Sequence, residues 1–71
     1  MTASEEELVN TVVELAAARR LMGQHLRTAR ILKEKDKDLT AVKEELRRSR
    51  SLIRELERKR KELTARLRRS G

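Results

Sequence analysis

The 71-residue chain has no Phe, Tyr, Trp, Cys or Pro, only two Gly, 44% charged residues and a formal charge of +7. Without aromatic bulk, disulfides or a structural metal, a chain this short lacks the usual supports of a self-contained globular core, and its wealth of Ala, Glu, Lys, Leu and Arg is the profile of long helices and coiled coils. The charge is a gradient: residues 1–18 carry four acids and no base, whereas residues 43–71 carry twelve bases and five acids.

The first four residues are expected to be a tail, with the helix starting where Ser4 and Glu7 stand in capping-box spacing ahead of Leu8 and Val9. The opening Glu5, Glu6 and Glu7 do not resemble the basic start of a secretory signal, and the longest apolar run, Leu15 to Ala18, is far too short to span a membrane. The expectation is a soluble intracellular protein, cytoplasmic by default.

Residues 5–29 form the first expected helical segment. Leu8, Val12, Leu15, Arg19, Met22, Leu26 and Ala29 keep heptad spacing and all but Arg19 are apolar. Val9, Val13, Ala16 and Leu21 widen this stripe into a face that suits a bundle better than a two-stranded seam. Gly23, preceded by Arg19 and Arg20, offers one place for the helix to end, but a lone helical glycine costs only about 1 kcal/mol and nothing after it promises a new helix start. His25 has no second His or Cys at ligand spacing, so neither a metal nor any other cofactor is expected.

Residues 30–69 form the second expected segment, out of phase with the first. Its a-type positions are Leu32, Leu39, Leu46, Ile53, Arg60 and Leu67, and its d-type positions are Lys35, Val42, Ser49, Leu56 and Leu63. Such a stripe is the signature of helix packed on helix. The run Lys33 to Asp38 alternates charges at i and i+3, which reads as exposed helix continuing through it, although Asp36 or Asp38 is also chemically fit to cap a new one. Ser49 and Arg60 interrupt the seam, and Ser49 follows arginines in a weak kinase-acceptor context. Residues 70–71 are expected to be a tail.

The expected fold is therefore all-α. An unbroken amphipathic helix would form a coiled coil, with a parallel dimer favoured; a break near Gly23 would instead give a helical hairpin assembling into a small bundle. In a parallel dimer Asp38 would face Lys43 of the mate and Glu45 would face Arg50, two attractive pairs of at most about 1 kcal/mol each.

Nothing in the chain suggests an enzyme or a small-molecule substrate, because one His and no enclosing wall do not make a catalytic pocket. The leading functional expectation is a coiled-coil oligomerisation or adaptor module joining copies of itself through Leu8, Val12, Leu15, Met22, Leu26, Leu32, Leu39, Val42, Leu46, Ile53, Leu56, Leu63 and Leu67. A second is a basic helix that recruits nucleic acid through residues 47–69, where Arg47, Arg48, Arg54, Arg58, Lys59 and Lys61 are candidate anion-binding cations. It lacks stacking aromatics and a recognised base-reading motif. The third is docking onto a different helical protein.

Overall fold

The computed structural model describes residues 2–70, Ser70 by its backbone alone, so Met1 and Gly71 of the two expected tails lie outside the described residues. Two helices make up the fold, α1 (Ala3–Glu34) and α2 (Thr40–Ser70), packed on each other as an antiparallel hairpin of 54 × 16 × 13 Å. A continuous helix would be about 100 Å long at 1.5 Å per residue. The hairpin halves this length and lets the chain cover its own seam.

The break falls at residues 35–39 instead of near Gly23, and the run from Lys33 to Asp38, expected to continue as helix, is where α1 stops. Asp36 takes a left-handed backbone conformation with φ 56°. Its N–H donates to the carbonyl of Lys33 at 3.1 Å and the N–H of Lys37 donates to that of Leu32 at 2.8 Å. These two bonds complete a Schellman motif, and Asp is among the few non-glycine residues that tolerate its left-handed position. Asp38 then starts α2, accepting from the Thr40 N–H at 3.0 Å and the Thr40 hydroxyl at 2.7 Å. Those bonds, with Lys43 nearby, hold the Asp38 carboxyl below its ordinary pKa despite a small opposing desolvation. Its contribution to the turn is therefore present above the unfolded-state pKa and fades as pH falls through the lowered one. The i, i+3 charge pairing of this run is a weak helical preference, and two acids placed to end one helix and begin the next override it.

At the amino terminus the cap is Thr2, not Ser4. The Glu5 N–H donates to Thr2 Oγ1 at 3.2 Å, and the Thr2 N–H donates to Glu5 Oε1 at 3.4 Å. Both spacings fit a capping box, and the earlier one adds half a turn of helix with Ser4 inside it.

Gly23 is helical, and a Cβ built there meets nothing within 4 Å. The hairpin itself therefore has no need of glycine at this position. Gly23→Ala is expected to raise stability by about 1 kcal/mol, an increase of several degrees in Tm, without altering the far-UV circular dichroism spectrum. A fall in Tm would show that the backbone there is constrained in some other way.

Leu15, Ala18 and Leu56 form the buried cluster, with Ile53 packed against it, and Val42 and Leu63 extend the core toward either end. Along the seam the less exposed positions of α1 run Ser4, Leu8, Thr11, Leu15, Ala18, Met22, His25, Ala29 and Leu32; Leu39 of the turn leads into Val42, Leu46, Ser49, Ile53, Leu56, Leu63 and Leu67 of α2, while Gly23, Glu44, Glu57, Thr64 and Ala65 are half-buried off these rows. Both rows keep strict heptad spacing, interrupted in α2 only by exposed Arg60. The cluster sets an antiparallel register that places Leu15 against Leu56 and Ala18 against Ile53. Continued by the repeat, it sets Met22 against Ser49 and Ala29 against Val42. Three of these four layers set a large residue against a small one, and this lets the two backbones pack closely there.

Candidate functional site

The seam divides the hairpin surface into two flanks of different chemistry. With Leu8, Leu15 and Met22 as a-positions of α1 and Leu46, Ile53 and Leu67 as those of α2, the e-positions of both helices lie along one flank and the g-positions along the other. Two cross-helix ion pairs fix this assignment. Arg19 Nη2 lies 3.3 Å from Glu57 Oε1, joining e to e, and Lys59 Nζ lies 3.7 Å from Glu7 Oε1, joining g to g. All four side chains are substantially exposed, so each pair contributes at most about 1 kcal/mol and acts mainly to favour this register.

On the e flank, extended outward by the b-positions, α2 presents Lys43, Arg47, Arg50, Arg54, Lys61 and Arg68 with Glu57 as its one acid, and α1 adds Arg19, Arg30 and Lys33 with Glu5 as its acid. The g and c positions of the two helices carry four bases and five acids. Nearly all of the chain's excess positive charge is thus on one flank, an asymmetry invisible to a linear count along α2.

The candidate anion-binding residues separate accordingly. Arg47 and Arg54 stand on the cationic flank, with Arg47 Nη1 3.5 Å from Glu44 Oε2. Lys61 joins them farther along. Arg48 points elsewhere, 3.8 Å from Glu44 and 3.9 Å from Glu45, while Lys59 is engaged by Glu7 and Arg58 faces outward. Lys43, Arg47, Arg50 and Arg54 rim a groove of about 400 Å³ floored by Leu46, with Ser51 at its edge. Two of the residues expected to pair across chains have neighbours within the hairpin. Asp38 is bonded to Thr40, and Glu45 lies near His25 and Arg48.

The opposite flank holds the apolar groove, about 290 Å³, lined by Glu14, Ala17, Ala18, Leu21, Leu52 and Leu56. Leu21 and Leu52 are each 46% exposed at its edge. Of the seam residues read from the sequence, Leu15, Val42, Leu56 and Leu63 are buried, and Leu8, Met22, Leu32, Leu39, Leu46, Ile53 and Leu67 are half-buried between the helices. Val12 and Leu26 are exposed, and Thr11, Ala18 and His25 occupy the seam in their place. Thr11 is buried because its hydroxyl donates to the Glu7 carbonyl at 2.8 Å, removing the cost of an unpaired polar group. His25 Nε2 is 3.9 Å from Glu45 Oε2, too far for a hydrogen bond, and is buried without another partner.

Among the described residues no group of three or more His, Cys, Asp or Glu is placed to hold a metal ion, and no helix is long and apolar enough to cross a membrane. Comparison with family models, curated proteins and solved structures finds no match in any of the three.

Proposed function

We propose that the hairpin is a non-enzymatic interaction module that pairs with a second copy of itself through the flank centred on Leu21 and Leu52, giving a four-helix assembly. The observation that carries this reading is the apolar groove between α1 and α2, which remains open after the seam is covered. Small two-helix units bury too little on their own, and a second layer of helices is the usual remedy. In this reading the leucine seam holds each hairpin together while the groove joins the hairpins.

Charge on this flank favours a second copy as the occupant. Here α1 carries Glu7 and Glu14 and no base, whereas α2 carries four bases and three acids, so α1 of one copy meets α2 of the mate with opposite net charge. The g and c positions around the groove are close to neutral, so little repulsion opposes contact there.

Sedimentation equilibrium is expected to give a mass twice the 8.3 kDa of the chain. Leu21→Glu and Leu52→Glu should each return it to one chain while leaving helicity intact, because neither leucine is needed in the internal seam. A mass of one chain at all accessible concentrations would overturn the proposal and favour docking onto a helix of another protein.

A further inference from the structure

We propose that the cationic flank nearest the turn, formed by Lys43, Arg47, Arg50 and Arg54 of α2 with Arg30 and Lys33 of α1, binds the phosphate backbone of double-stranded nucleic acid without reading its sequence. This inference does not depend on self-association, which uses the opposite flank.

All six side chains are exposed. The antiparallel register that joins Arg19 to Glu57 sets Lys33 opposite Lys43 near the turn, so the two helices bring like charges together where a structural flank would alternate signs. Local relief is limited to Glu44 beside Arg47 and Asp38 in the field of Lys43. Among the described residues, neither Arg50 nor Arg54 has a carboxylate within 4 Å in any ion pair of the structure. Unrelieved repulsion of this kind costs the hairpin stability and yields a field suited to a polyanion.

The form of the array selects the polyanion. Along α2 the four cations follow one another at three- and four-residue intervals, about 5 Å apart along the axis, on a rigid straight element. A duplex carries one phosphate per about 1.7 Å of its axis, so a short line of cations displaces condensed counterions at several points together. The chain has no aromatic residue on which unpaired bases could stack, which disfavours single strands. A bilayer surface is the other phosphate-rich candidate, but the strip is narrow and has no aromatic anchor for insertion.

The test uses the full chain and a fluorescently labelled duplex of mixed sequence, longer than the hairpin, with anisotropy read across a salt series. The parent is expected to bind in the range of about 10⁻⁴ to 10⁻⁶ M near physiological salt. Arg47→Gln/Arg50→Gln/Arg54→Gln should weaken binding by tenfold or more and flatten the slope of log K against log salt by about 2 to 3. Arg48→Gln/Arg58→Gln/Arg69→Gln removes the same charge from outside the flank and should lose several-fold less. Arg47→Lys/Arg50→Lys/Arg54→Lys keeps the charge and should bind like the parent, with circular dichroism confirming the fold of every variant. The proposal is overturned by equal losses in the two glutamine triples, by failure of the lysine triple, by no duplex binding in the parent, or by tighter binding to phosphatidylserine-containing vesicles than to duplex.

Discussion

Leu56→Asp is expected to abolish the helical circular dichroism signal, whereas Leu52→Asp, four residues earlier on the same helix, should leave it nearly unchanged. Leu56 is 7% exposed and sits in the cluster with Leu15, Ala18 and Ile53; Leu52 is 46% exposed at the rim. Truncating a buried leucine costs about 2 to 5 kcal/mol, and a carboxylate held in the same space adds several more through the loss of its hydration. A chain of this length has about 4 to 10 kcal/mol of stability in total, so the combined loss is comparable to the whole. Neither helix would survive separation, since helices in water owe most of their stability to the face they cover. Leu56→Ala should fall between, folded with a lower Tm. If Leu56→Asp retains parent-like ellipticity and melting, the buried seam is not what orders the chain.

The seam of α2 is legible in the amino-acid sequence. Leu39, Val42, Leu46, Ser49, Ile53, Leu56, Leu63 and Leu67 follow from the heptad count alone, and exposed Arg60 interrupts it where expected. In α1 the alternate members Leu8, Leu15, Met22 and Ala29 are equally legible, but their companions are not. Hydrophobicity prefers Val12 and Leu26 to Thr11 and His25, and the structure places the latter pair in the seam. The choice belongs to the assembled register, in which Thr11 falls opposite Arg60 with its hydroxyl bonded to the Glu7 carbonyl, and His25 falls opposite Leu46. Such pairing is a property of two helices in register, absent from the periodicity of either. It emerges only when α1 is slid against α2 about a turn near Asp36.

The turn and the charge asymmetry are hidden in the sequence for related reasons. Asp36 and Asp38 are visible as acids, but their i, i+3 partners suggest helix, and the competing Schellman and capping bonds are backbone arrangements that side-chain pairing rules do not weigh. The basic block looks diluted by Glu55, Glu57 and Glu62 when read along the chain. Wound on a helix, Glu55 and Glu62 go to the c-positions and Glu57 is taken by Arg19, leaving the e and b flank strongly positive. The fold therefore separates two surfaces that the sequence superimposes, an apolar groove on one side and a cationic strip on the other.

The same turn sets the choice between the hairpin and the long coiled coil, and Asp36→Ala/Asp38→Ala is expected to tip that choice. Alanine in the left-handed position of residue 36 carries a cost of about 1 to 2 kcal/mol, a factor of roughly 5 to 30 against closure. Loss of the Asp38 carboxylate removes both bonds to Thr40. Alanine also has the highest helix propensity, so the same changes favour helix running through residues 35–39. The opened chain keeps its seam by exchanging partners: α1 of one copy covers α2 of another in the same layers, which makes a domain-swapped dimer. A short linker gives the closed form an effective concentration of about millimolar, and the penalty lowers this to about tens or hundreds of micromolar. Small-angle scattering in that range should show the longest dimension growing from 54 Å in the hairpin toward about 100 Å. Length, not mass, is the deciding observable, because two hairpins joined side by side through Leu21 and Leu52 keep the shorter dimension. A double variant that stays short at high concentration would show that the seam register alone, without Asp36 and Asp38, suffices to close the chain on itself.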